Sequence, residues 1–143
     1  QYAPMPGDVK LREVVSQKTE ALHGKKYNPA TDITVTAGAT QAIFTAIAAV
    51  VHRGDEVIIF TPAYDCYDPT IRLFGGKTIP VQLHAPHYAV DWNEVEAKIS
   101  DKTKLIIINT PHNPCGVIQS KKDMQQLERL VEKNDLLVIS DEV

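Results

Sequence analysis

The residues best suited to chemistry stand at the ends of short apolar runs. After Ile33 to Thr36 comes Ala37-Gly38-Ala39-Thr40-Gln41-Ala42. Small residues that lead at once into a helix-forming stretch present backbone amides and a positive dipole end. That suits an anion, most naturally a phosphate. A tight turn into a packed Ala-rich helix fits the same residues equally well. The segment is neither a dinucleotide fingerprint nor a Walker loop, because the Gly spacing and the Lys are missing. A second run leads into Phe60-Thr61-Pro62-Ala63-Tyr64-Asp65-Cys66-Tyr67. A Pro at a strand end can hold the Tyr64 ring over a sheet rim, where a flat cofactor or base would stack. Plain packing is the commoner use of Tyr64 and Tyr67. A third run leads into Asn109-Thr110-Pro111-His112-Asn113-Pro114-Cys115-Gly116, a loop stiffened by two Pro and closed by Gly. The Asn113 amide can donate to a ligand oxygen. The last run, Leu136 to Ile139, leads into Ser140-Asp141-Glu142. A carboxylate on the rim of a parallel sheet is poorly solvated unless a cation meets it. A helix cap or salt bridge would also account for Asp141.

The elements that must position these residues alternate. Asp8 can cap a helix with Leu11, Val14, Val15 and Leu22 at helical spacing, stopped by Gly24. Ile33 to Thr36 reads as a strand and Ala39 to Val51 as a buried helix. Gly54-Asp55 turns the chain into a strand from Val57 to Phe60. Tyr64 to Phe74 reads as a helix ended by Gly75-Gly76, and Thr78 to Leu83 as a strand. Asp91 caps a helix through Ile99, and Leu105 to Ile108 is a strand. Ser120, with Asp123 at capping-box spacing, starts a helix carrying Met124, Leu127, Leu130 and Val131. Leu136 to Ile139 is the last strand. Continuous apolar strands alternating with helices predict an α/β fold with a parallel sheet covered on both faces. Function in such sheets gathers at the carboxyl ends of the strands.

Composition narrows the function. The chain has 143 residues, 43% hydrophobic and 23% charged, with a net charge of -3. These are ordinary values for one globular domain with a core. Mild acidity argues against a nucleic-acid partner, and the longest apolar runs are far too short for a membrane span. Two widely separated Cys and no secretory signal point to a reducing, cytoplasmic setting. His84 and His87 have metal-like spacing but no partner ligands nearby, so they read as solvated loop residues and no metal site is expected. The start at Gln1 and the stop after Asp141-Glu142-Val143 read as the ends of an internal piece of a longer protein.

Taken in order, Tyr2-Ala3-Pro4, Gly38-Ala39-Thr40, Pro62-Ala63-Tyr64, Asn109 to Gly116 and Ser140-Asp141-Glu142-Val143 resemble the class I/II aminotransferases. These are pyridoxal phosphate (PLP) enzymes of fold type I. The resemblance spans the whole chain. Thr34 to Thr40, Tyr64-Asp65-Cys66-Tyr67 and Asn109 to Pro114 are most similar to the methionine and kynurenine aminotransferase branch. It implies a three-layer α/β/α fold with a mainly parallel sheet, residues 1–143 being part of the PLP-binding large domain. It implies a function too: moving the amino group of a methionine-type or aromatic amino acid to a 2-oxo acid.

The resemblance also assigns roles. Gly38, Ala39 and Thr40 would bind the PLP phosphate, and Tyr64 would stack on the pyridine ring. Asn113 would donate to the ring's phenolic oxygen near the substrate carboxylate. Asp141 would pair with the protonated ring nitrogen, keeping the ring an electron sink. Tyr2 would reach the phosphate of a partner subunit's cofactor, making the active unit a homodimer.

Some family features are missing. Cys115 replaces the familiar Thr or Ser, most simply as a small loop filler. No Lys has the Ser-x-Ser-Lys context of the Schiff-base lysine, so no catalytic residue is expected within the chain. The Arg that grips the substrate carboxylate is also absent. His112, inside the cofactor loop, reads as structural. The competing readings are a PLP carbon–sulfur lyase or related fold-type I enzyme, and the aminotransferase-like effector domain of a transcription regulator. A nucleotide-binding Rossmann domain is disfavoured by the absent Gly-rich fingerprint. Two structural expectations follow. Thr61-Pro62 and Asn113-Pro114 should be cis. The sheet should be incomplete, with Ile33 to Thr36 facing a gap.

Overall fold

The computed structural model describes residues 2 and 4–142. Gln1, Ala3 of the Tyr2-Ala3-Pro4 motif and Val143 of the Ser-Asp-Glu-Val motif lie outside the described residues. The chain divides into two compact units, Gln1–Ala42 and Ile43–Val143.

The first unit is built on helix α1, Val9–His23. Asp8 caps it, its Oδ1 accepting from the Leu11 amide at 3.1 Å. Gly24 ends it at φ +67°, where only Gly is free of strain. The buried side of α1 is polar. Arg12 donates to the carbonyls of Gly7 and Pro29, and Ser16 Oγ donates to the Tyr27 carbonyl at 2.5 Å. The apolar residues Leu11, Val14, Val15 and Leu22, which the helical spacing places on one stripe, are exposed. Ile33 to Thr36 forms no strand. A strand needs a neighbour for its backbone groups, and among the described residues this segment's backbone bond runs from Val35 N–H to the Pro6 carbonyl at 2.9 Å, not to a strand. Gly7 lies beside that bond at φ +98°, and a Cβ there would stand 2.6 Å from the Val35 Cβ.

Helix α2, Ala39–Val50, begins at the end of this unit. From Ile43 onward it belongs to the second unit. That unit runs β1 (Glu56–Thr61), α3 (Tyr67–Leu73), β2 (Lys77–Gln82), α4 (Trp92–Lys98), β3 (Thr103–Thr110), α5 (Lys121–Asn134) and β4 (Leu137–Glu142). The four strands pair in the order β2-β1-β3-β4, all parallel.

The all-apolar strands make this sheet two-faced. Alternate residues point to opposite sides. Val57, Ile59, Leu105 and Ile107 pack with Ile43, Ile47 and Ile71 of α2 and α3. Ile58, Phe60, Ile106 and Ile108 pack with Val95, Leu127 and Leu130 of α4 and α5. The result is the expected three-layer α/β/α arrangement with a parallel sheet. Truncating a fully buried member such as Ile106 to Ala should cost about 2–5 kcal/mol.

Several boundaries differ from the sequence reading; three elements matter for the site. Helix α3 begins at Tyr67 rather than Tyr64, because Pro62 through Cys66 form the turn that leaves β1. β3 is longer than its apolar run at both ends. β4 continues through the acids to Glu142, since pairing of Ser140 with Ile108 and Asp141 with Asn109 carries the ladder on. Thr61-Pro62 and Asn113-Pro114 are cis as expected, and so are Ala85-Pro86 and Thr110-Pro111.

Helix α5 carries the expected capping box. Ser120 Oγ accepts from the Asp123 amide at 3.2 Å, and Asp123 Oδ2 accepts from the Ser120 amide at 2.8 Å. Trp92 Nε1 also donates to Asp123 Oδ1 at 2.9 Å, tying α4 to α5. Burial alone would raise the Asp123 carboxyl, but the bonds from Ser120 and Trp92 outweigh it and hold the group below its usual range. A depressed carboxyl stabilises the fold above its unfolded value, about 3.9, and loses that contribution as pH falls through the folded one. Ser120→Ala should therefore cost about 1 kcal/mol, read as a lower urea midpoint at unchanged slope. Asp123→Asn should flatten the acid limb of the stability profile below about pH 4. An acid limb identical to the wild type would remove Asp123 from this role.

Candidate cofactor site

The carboxyl ends of β1, β3 and β4 bring three expected site residues into one linked cluster. Tyr64 sits in the turn after β1, Asn113 in the loop after β3, and Asp141 in the last turn of the β4 ladder. Two further residues join them. The Tyr67 hydroxyl donates to Asp141 Oδ2 at 2.5 Å. Its ring meets Tyr64 edge to face, centroids 6.0 Å apart. Asn109 pairs with Asp141 in register, and its Nδ2 donates to the Asp141 carbonyl at 2.8 Å. Asn109 Oδ1 accepts from the Asn113 amide at 2.5 Å. One buried amide thus ties the loop after β3 to the end of β4.

Tyr67 and Asn109 join the cluster although the sequence reading gave neither a site role. Both are buried, Tyr67 at 3% exposure and Asn109 at 4%. A buried polar group must find partners, and both find them on residues of the cluster. Burial, with the Asp141 carboxylate in support, pushes the Tyr67 phenol far above its usual range. It therefore stays a proton donor at any physiological pH.

The remaining sites of interest take quieter roles. His112 is 3% exposed. Its amide donates to the Val117 carbonyl at 2.8 Å, and its carbonyl accepts from Gly116 at 2.6 Å. Burial lowers its imidazole, against a bond to the Phe60 backbone that acts the other way, so the ring is neutral at pH 7. His112 builds the loop. Cys66 and Cys115 are free thiols. Burial raises both above the ordinary value, which leaves neither as a ready nucleophile. His84 and His87 are exposed. Among the described residues no group of three His, Cys, Asp or Glu side chains could hold a metal ion, and no helix is long and apolar enough to cross a membrane. A cavity of about 420 Å³ is lined by Tyr64 with Thr61, Asp65, Asp68, Arg72 and Thr78, but by neither Asn113 nor Asp141.

In the first unit, Gly38, Ala39 and Thr40 form the start of α2. Gly38 has φ +88°. The Thr36 hydroxyl donates to its carbonyl at 3.0 Å, and Gln41 Oε1 folds back to accept from the Ala37 amide at 2.6 Å. The first amides of a helix have no partner within it, which makes its N-terminus a ready acceptor site for phosphate. Tyr2 is fully exposed.

A model of the aminotransferase class I and II family matches residues 1–143, the whole chain. The chain belongs to the class I and II aminotransferases. Enzymes of this class depend on pyridoxal phosphate. The chain is 49% identical over 143 residues to methionine aminotransferase of Escherichia coli, covering 100% of itself and 37% of that relative. Human kynurenine–oxoglutarate transaminase 3 is 38% identical over 153 residues, again with 100% of this chain and 34% of the relative covered. A solved Escherichia coli structure described as having methionine aminotransferase function superposes with a TM-score of 0.97 at 49% identity, over 100% of this chain and 37% of that one. An aromatic aminotransferase from Pyrococcus horikoshii superposes with a TM-score of 0.95 at 38% identity, over 100% of this chain and 38% of that one. The aminotransferase chain thus spans a little over a third of the length of these relatives.

The cluster's chemistry fits the family's cofactor. A planar cationic ring needs an aromatic face, a carboxylate and a donor to its phenolic oxygen. Tyr64, Asp141 and Asn113 supply one of each, within a single bonded frame.

Proposed function

We propose that this chain is part of the PLP-binding large domain of an aminotransferase. The enzyme moves an amino group from a methionine-type or aromatic amino acid to a 2-oxo acid. The observation that carries the proposal is the frame Tyr64–Tyr67–Asp141–Asn109–Asn113, which spans the carboxyl ends of three strands. The identity to methionine and kynurenine aminotransferases supports the substrate class.

Each residue has a physical task. Gly38, Ala39 and Thr40 hold the phosphate on the amides and dipole of α2. Tyr64 covers one face of the ring. Asn113 donates to the ring's phenolic oxygen and stands close to the substrate carboxylate. Asp141 meets the ring nitrogen and keeps it protonated. When bound, the cofactor supplies the electron sink that stabilises negative charge at the substrate carbon. Tyr2, exposed in one protomer, serves the phosphate site of a second, in a cytoplasmic homodimer.

The test uses the full-length protein, loaded with PLP and given methionine and a 2-oxo acid. The expected result is stoichiometric formation of the methionine-derived 2-oxo acid and a new amino acid. Release of a thiol with ammonia would instead make the protein a carbon–sulfur lyase. Failure to bind PLP would overturn the proposal altogether.

A further inference from the structure

We infer that Tyr67 is a positioning residue that sets both the Asp141 carboxylate and the Tyr64 ring for the cofactor. The inference rests on the PLP reading above and goes beyond it, because Tyr67 itself is not expected to touch the cofactor.

Its contacts carry the inference. Tyr67 is the first residue of α3 and packs into the core between α3 and the sheet. That anchorage fixes its ring. From this point the hydroxyl reaches Asp141 Oδ2 at 2.5 Å, across 74 residues of sequence. The same ring abuts Tyr64 edge to face. Asn109 of β3 meanwhile holds the Asp141 carbonyl, so backbone and side chain of Asp141 are fixed from different elements, β3 and α3. A carboxylate at a strand end has two free torsions, and a charge that swings away from the ring nitrogen gives little. A hydrogen bond to the ionised form both fixes the rotamer and favours the charge. The proton shared between carboxylate and ring nitrogen is thereby kept on the ring. The phenol is well suited to this because burial leaves it neutral, a donor that does not add charge beside Asp141.

Tyr67→Phe separates the two contacts. The ring stays against Tyr64 and in the core, and only the hydroxyl is lost. In the full-length protein loaded with PLP labelled at the ring nitrogen with 15N, the wild type should show a protonated nitrogen. Tyr67→Phe should move the resonance toward the unprotonated position. It should also weaken the dissociation constant for PLP by about tenfold, the size expected for one hydrogen bond to a charged group. The amino-acid KM should hold while kcat falls. In an Asp141→Asn background the same change should alter PLP affinity by about twofold or less, because the negative charge that the hydroxyl supports is gone. A thermal melt of each variant reports the fold. An unchanged 15N resonance and PLP affinity in Tyr67→Phe would overturn the inference. So would an equal loss with and without Asp141, which is what a packing role predicts. A wild type that binds no PLP would sink the underlying reading instead.

Discussion

Asp141→Asn in the full-length protein is expected to lower kcat by roughly 10²–10³-fold, the usual effect of removing one preorganised electrostatic partner from a reacting centre. The shape of the site should survive. Asn has the same outline, its Oδ1 can still accept from the Tyr67 hydroxyl, and the Asp141 carbonyl bond to Asn109 is a backbone contact that the change does not touch. The strand pairing of Asp141 with Asn109 is likewise unaffected. Stability should therefore fall by about 1 kcal/mol or less, as one exchanged hydrogen bond warrants. On the proposed reading, what is lost is the negative charge that would keep the ring nitrogen protonated. Steady-state kinetics beside a thermal melt separates the two effects. A loss of activity below about tenfold, or one that scales with lost stability, would remove Asp141 from its assigned place.

Much of this arrangement is written locally in the chain. β1 and β3 are apolar on both faces, and such runs have few alternatives to a covered parallel sheet. The caps at Asp8, Asp91 and Ser120 are short-range devices, so their spacing suffices to place α1, α4 and α5. Two of the misreadings share one cause, dependence on a distant partner, and a third is local. Ile33 to Thr36 has strand-forming residues but pairs with no strand among the described residues, and propensity alone does not close a ladder. β4 runs through Ser140, Asp141 and Glu142 against their propensity because β3 offers the matching backbone groups. Tyr64 to Cys66 looks helical, yet Thr61-Pro62 turns the chain first. Tyr64, Asn113 and Asp141 were legible as candidates from residue type at strand ends. Tyr67 and Asn109 were not, since a tyrosine in a helix and an amide after an apolar run have many commoner uses. Only the fold shows that their polar atoms end on Asp141 and Asn113.

A polypeptide of these 143 residues alone is expected to form no 2-oxo acid from methionine and PLP, even where it folds and binds the cofactor. Transamination in this family needs a lysine at the cofactor to move a proton at the substrate carbon. In the second unit, the described lysines stand elsewhere. Lys77 opens β2 and pairs with Glu56 at 3.0 Å, and Lys102 and Lys104 lie at the start of β3, all at the amino ends of the strands. Lys98 is engaged by Glu94 at 2.7 Å and Lys133 by Glu96 at 2.8 Å. Lys121 and Lys122 are solvated on the first turn of α5. On the proposed reading, Asp141, Tyr64 and Asn113 would supply affinity and electronics but no base for the carbon-bound proton. The assay adds PLP, methionine and a 2-oxo acid to this polypeptide and to the full-length protein at equal concentration. Turnover only by the longer protein is the expected result. Comparable turnover by the 143 residues would mean that a base within them does the work, and the assignment of binding and electronic roles to this chain would have to be rebuilt around it.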